Sequence, residues 1–227
     1  MVVVFVILTF ALIITGSYIV QKSKAKKATV PAIDAGKSIS YGLKADDLAL
    51  PADLFFHRGH TWAKLDASGK IKIGMDDFAQ KVLGRLDRVK LLKIGDSVHK
   101  GDNIFTVKQG KREAVFNSPV DGVISEVNDD VSKNPALIKD NPYDKGWIYA
   151  ITPSNLAANI KSLSVAEDAM KWIKLEVQRF EKFISEQFSE DKMLGKTLAD
   201  GGIPVEGVME HMNENSWFKM QEKFLTK

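Results

Sequence analysis

The sequence predicts a mainly β protein with added α-helix: an N-terminal transmembrane helix, a small β barrel or sandwich, and a helical C-terminal extension. Three observations predict it. Residues 2–20 carry no charged side chain. From Phe55 to about residue 153, short β-type runs alternate with Gly- and Asp-containing turns. Beyond Pro153, apolar residues recur every three or four positions.

The first run, VVVFVILTFALIITGSYIV, has side-chain hydroxyls only at Thr9, Thr15, Ser17 and Tyr18. At about 1.5 Å per residue a helix of this length reaches roughly 29 Å, close to the ~30 Å hydrocarbon thickness of a bilayer. A helix satisfies its own backbone, so it can sit in lipid. A cleaved signal would need a basic stretch before the apolar run and small residues after it. Here the basic residues follow instead: Lys22, Lys24, Lys26 and Lys27. The positive-inside tendency then places the N-terminus outside and the C-terminal domain in the cytoplasm of a single-pass membrane protein. Ala11, Gly16 and Ser17 are the small residues through which this helix could touch other membrane subunits.

The formal charge is +3; without those four lysines it is 3 − 4 = −1. The remainder offers no electrostatic case for nucleic acid. The absence of cysteine excludes disulfides, thiolate nucleophiles and Cys-ligated metals. No GxSxG, Walker-type loop or GxGxxG occurs, and no nucleophile–base pair stands out, so the chain does not read as an enzyme. His57 and His60 have HxxH spacing but no evident third ligand, and no metal is expected. Asp76 and Asp77 suit a helix start, and Asp129 and Asp130 suit a turn.

Residues 22–53 read as a linker, followed by a β domain at 54–155 and a helical extension at 156–227. Strands are expected in 60–65, 70–75, 88–92, 103–108, 113–118, 122–127 and 147–152, and helical pieces near 76–84 and 134–141. In the extension, Ser164 and Glu167 fit a capping box. Val165, Ala169, Ile173, Val177, Phe180, Ile184 and Phe188 then form an apolar stripe of about six turns. Gly201, Gly202 and Pro204 break the pattern, and Val208, Met212, Trp217, Met220 and Phe224 resume it. Such a stripe buries either on the β domain or on a partner subunit.

Residues 57–155 resemble the H protein of the glycine cleavage system. His60-Thr61-Trp62 stands where that family tends to have His-Glu-Trp, and Gly74-Met75-Asp76-Asp77-Phe78-Ala79-Gln80 is like its Gly-Ile-Thr-Asp-Phe/Tyr-Ala-Gln. Asn134-Pro135-Ala136-Leu137-Ile138, Asp140-Asn141-Pro142-Tyr143, Gly146-Trp147 and Pro153-Ser154 follow at matching spacing. The resemblance implies a barrel-sandwich hybrid of the lipoyl/biotinyl type. It also implies lipoate in amide linkage to a hairpin-tip lysine, framed by a glycine ten residues before and another eleven after. Gly101 and Gly122 frame Lys111, and Ser118-Pro119-Val120-Asp121-Gly122 is similar to the family's Ala-Pro-Val-Ser-Gly.

The tip itself departs from the family's Glu-Ser-Val-Lys-Ala, reading Lys108-Gln109-Gly110-Lys111-Arg112. The resemblance gives an acid three before the lysine; here it is Lys108, and Thr61 replaces a glutamate. Three cations within five residues would face an attaching enzyme shaped for an acidic tip. The leading expectation is therefore a non-catalytic accessory or scaffold subunit of a membrane-bound complex, with no cofactor. It would grip other subunits through Val177, Phe180, Ile184 and Trp217, and through the anchor helix. The alternative is a membrane-tethered lipoyl carrier that shuttles a sulfur-bound group on Lys111.

Overall fold

The computed structural model describes residues 43–190 and 206–226, with side chains to residue 187 in the first of these stretches. The apolar run at 2–20, its lysines, most of the expected linker, the Phe188 side chain and the break at 201–204 lie outside the described residues. Among the described residues no helix is long and apolar enough to cross a membrane.

Among the described residues ten strands form two antiparallel sheets. They are β1 (Phe55–Phe56), β2 (Thr61–Leu65), β3 (Ile71–Met75), β4 (Arg88–Leu91), β5 (Ser97–Val98), β6 (Asn103–Gln109), β7 (Arg112–Asn117), β8 (Gly122–Val127), β9 (Tyr149–Pro153) and β10 (Ser164–Val165). Seven run in the order β10-β1-β2-β3-β9-β8-β5, and the other three in the order β4-β6-β7. The strands alternate as half-buried strands do: in β3, Ile71 and Ile73 are buried while Lys72 between them is partly exposed. Trp62 fills the space over β3, its indole N–H donating to the Met75 carbonyl at 3.1 Å.

Helix α1 (Asp77–Leu83) starts where the sequence places it: the Asp76 carboxylate caps it by accepting from Ala79 N at 2.9 Å. Helices α2 (Asp129–Lys133) and α3 (Ala136–Asp140) follow β8. Asp129 and Asp130 are the first turn of α2, capped by Asn128, rather than a free turn. Helix α4 (Leu156–Ile160) leads to β10 and then to the long helix α5 (Ala166–Glu190).

Ser164 does not cap α5. It pairs with Phe56 as part of β10, and Ala166 enters the helix at φ 48°; the edge of the larger sheet wins over the capping box. Residues 43–53 are also drawn into the domain: Leu43 and Leu48 are buried in its core, and Ala45–Asp47 form a short 3-10 turn.

The apolar stripe has its partner within the chain. Val177, Phe180 and Ile184 are buried, as is Trp217 on helix α6 (Glu214–Met220), which continues into a π-turn at Gln221–Leu225. Phe180 meets Phe78 of α1 edge-on with ring centroids 5.4 Å apart, and Phe224 at 5.5 Å. Those four side chains, expected as a grip on other subunits, are thus covered by this chain's own core and present no surface.

Candidate functional site

Strands β6 and β7 form the one long hairpin of the smaller sheet, in register from Lys108↔Glu113 to Gln109↔Arg112. Only Gly110 and Lys111 lie beyond that last pair. A two-residue turn needs positive φ at its first central position, and Gly110 supplies it at 59°. The tip is braced from below. Gln109 Nε2 donates to the carbonyls of Leu83 (2.8 Å) and Arg85 (2.7 Å), and Gly110 N–H donates to Asp87 Oδ2 at 2.7 Å. Lys111 is exposed and makes no hydrogen bond or ion pair among the described residues.

The neighbouring cations are otherwise engaged. Lys108 Nζ lies 2.6 Å from Glu113 Oε1, directly across the ladder, and Lys90 Nζ lies 2.7 Å from the same oxygen. Hydrogen bonds from Lys108 and then Lys90 hold the Glu113 carboxyl down at about 2. The Arg112 guanidinium donates to the carbonyls of Met209 (2.8 Å) and Met212, with its Cζ 5.4 Å from the Trp217 ring centroid. The run of three cations is thus one free amine beside two satisfied charges. Two carboxylates flank the tip: Glu113, paired with Lys108 and Lys90, and Asp87, which accepts from Gly110 N–H. A linear reading of 108–112 could not see this, because strand pairing and a segment a hundred residues away decide it.

A cleft of about 520 Å³ opens beside the tip, between residues 84–87, the start of α3, Lys139 and Glu210. Its lining mixes Arg85 and Lys139 with Asp87 and Glu210.

The other candidates have structural roles. Thr61 Oγ1 donates to the Asn117 carbonyl at 3.0 Å, tying β2 to the end of β7. His57 Nδ1 accepts from Gly59 N–H at 3.1 Å; burial, with Lys100 and His60 nearby, depresses its pKa to about 4. His60 is fully buried with φ 61°, its Nδ1 2.8 Å from Asp76 Oδ2 and its Nε2 3.7 Å from Glu176 Oε1. Burial opposes its charge, but Asp76 and Glu176 outweigh that and raise its pKa to about 9. The HxxH pair therefore splits into a local turn and a buried ion cluster. Among the described residues no group of three or more His, Cys, Asp or Glu could hold a metal ion. Glu176, which completes the cluster from α5, carried no sequence signal beyond sitting beside Val177 in the apolar stripe.

A rigid β domain that presents one unencumbered lysine on a two-residue turn is a carrier's geometry rather than a catalyst's. The chain belongs to the glycine cleavage H-protein family, whose model matches residues 54–176. It is 39% identical over 124 residues to the glycine cleavage system H protein of Listeria monocytogenes serotype 4a, covering 55% of this chain and 98% of that one. It is 36% identical over 120 residues to a probable glycine cleavage system H protein of Thermococcus gammatolerans, covering 53% and 89%. A crystal structure of a glycine cleavage system H protein from Mycobacterium marinum aligns at 28% identity and TM-score 0.44, covering 52% of this chain and 90% of that one. The β domain is thus an H-protein-like lipoyl domain, and the chain is a carrier-type protein, not an enzyme. The match runs into α5 as far as Glu176, beyond the limit of 155 expected from sequence; residues 177–227 fall outside it.

Proposed function

We propose that this chain is a lipoyl carrier that bears lipoate in amide linkage on Lys111 and is held at a membrane by residues 2–20. Family membership supports the carrier over the scaffold, and one observation supports Lys111: it is the uncommitted amine at the tip of a hairpin whose other charges are paired. The bound dithiolane would supply a sulfur that holds the transferred group. The protein's own contribution is mechanical. Asp87 and Gln109 keep the turn rigid, while the lysine stem stays free to swing. Confinement by the tether limits the arm's range. Only residues 21–42 separate the apolar run from the domain, whose core already includes Leu43 and Leu48, and so short a tether favours one fixed membrane assembly over a diffusing pool.

Intact-mass spectrometry of protein from lipoate-replete cells is the test. A lipoyl mass increment is expected on the wild type and absent from Lys111→Arg. An unmodified wild type under those conditions overturns the carrier reading. Deleting residues 1–21 should move the protein from the membrane to the soluble fraction; unchanged membrane association would overturn the tether.

A further inference from the structure

The segment after residue 206 is built into the surroundings of Lys111. Arg112, the next residue, is bonded to the Met209 and Met212 carbonyls. One residue further, the Glu113 carbonyl accepts from the Trp217 indole N–H at 2.9 Å. On the other wall of the tip, Arg85 N–H donates to Glu210 Oε1 at 2.7 Å, and Gly207 N–H donates to the Lys81 carbonyl at 2.6 Å. The contact is close enough to exclude a side chain at two positions. A Cβ on Gly84 would sit 2.6 Å from Gly207 Cα, and one on Gly59 would sit 2.6 Å from the Leu225 carbonyl oxygen.

An enzyme that acts on Lys111 must enclose this tip. An ordinary protein–protein footprint covers about 800 Å² per partner, a disc of roughly 16 Å radius. Strand geometry puts Glu113 only about 7 Å along the chain from Lys111. The groups bonded to Arg112 and Glu113 therefore fall beneath any partner centred on the lysine. On that same helix, next to Trp217, Phe218 is 64% exposed, a large aromatic with little packing to lose. Aromatic side chains of this kind are what interfaces use as anchors.

We infer that the recognition face of Lys111 is composite: the hairpin tip together with Glu210 and Phe218 of the C-terminal segment, held in place by Arg112. The partner that reads it is the enzyme that acylates Lys111. This rests on the carrier reading above. In that reaction the Nζ amine attacks the carboxyl carbon of lipoate activated as an acyl adenylate or thioester. The amide C–N bond forms, the bond to the activating group breaks, and one N–H proton leaves. Arg112 is a positioning residue here, since it acts through the segment and does not touch the reacting atoms.

The test uses the full, unmodified chain in detergent as acceptor for a lipoate ligase supplied with ATP and lipoate, with rates measured against acceptor concentration. Phe218→Ala should raise KM about tenfold, leave kcat within about twofold, and leave the melting temperature unchanged. Arg112→Ala should raise KM similarly, and Arg112→Lys should restore part of it. Wild-type KM for both Phe218→Ala and Arg112→Ala overturns the composite face while leaving the carrier reading intact. A wild-type chain that accepts no lipoyl group overturns both.

Discussion

Two charged clusters sit at opposite extremes in this molecule. At the hairpin tip, Lys108, Lys111, Arg112 and Glu113 stand in or near solvent, and the cluster leaves one amine uncommitted. At the joint between α1 and α5, His60, Asp76 and Glu176 are buried almost completely, with Arg179 closing the cluster from the half-exposed side. The first is braced in backbone and free in side chain, as the proposed swinging attachment point requires. The second fixes the side chains themselves. His60 stacks on Phe78 with centroids 4.4 Å apart, tilts against Trp172 at 5.2 Å, and bridges carboxylates from α1's cap and from α5. On the proposed reading one cluster serves chemistry performed elsewhere; the other joins the helical extension to the β domain.

The largest expected effect lies in the buried cluster. Asp76→Asn keeps a competent helix cap but removes the charge facing His60, which isolates the ion pair from the capping. Breaking a buried pair on one side costs about 3 kcal/mol or more, so chemical denaturation should show a loss of that size. The His60 pKa should also fall from about 9. A near-neutral Asp76→Asn would mean that the Asp76–His60 pair adds nothing to stability beyond the packing around it.

Next in size is the pH profile. His60 has a folded pKa of about 9 against an ordinary 6.5. Its contribution is full below about 6.5, is lost as pH rises through 9, and is on the order of 3 kcal/mol. His57 works in the opposite sense. Its folded pKa of about 4 means its contribution is full above 6.5 and is lost as pH falls through 4. Stability measured by denaturant titration across pH 4–10 should peak near 6.5 and fall on both sides. His60→Gln should flatten the alkaline limb while leaving the His57-dependent acid limb. A wild-type alkaline limb that stays flat would show that His60 is not held as an imidazolium.

Much of the fold was legible because its signals are local. Alternation marked the seven longer strands, and the Asp76 cap with its apolar face marked α1. The shortest strands were missed: β1, β5 and β10 have two residues each, too few to show a period. Ser164 shows the competition directly, since its capping pattern was real but a free sheet edge took the residue. At the site, the hairpin-tip position of Lys111 was legible from the glycine frame that the family resemblance implies. The fate of its neighbours was not, because Arg112 is satisfied by carbonyls at 209 and 212, and Lys108 by a residue across the ladder. Pairings of that separation leave no trace in a one-dimensional pattern.

The smallest effect sharpens the solvent side of the comparison. Lys108 and Lys90 share the Glu113 carboxylate at the surface, where ion pairs contribute little to stability. Lys108→Gln should therefore leave the melting temperature unchanged. Because Lys108 is the main cause of the depressed Glu113 pKa, that value should rise from about 2, yet remain below the ordinary 4.5 while Lys90 persists. Carboxyl-carbon NMR titration reads this directly, in a variant whose Lys111 is untouched. A marked drop in melting temperature would instead show that the hairpin tip depends on its ion pairs for rigidity. The contrast between a free attachment point and a buried clamp would then narrow to a difference of degree.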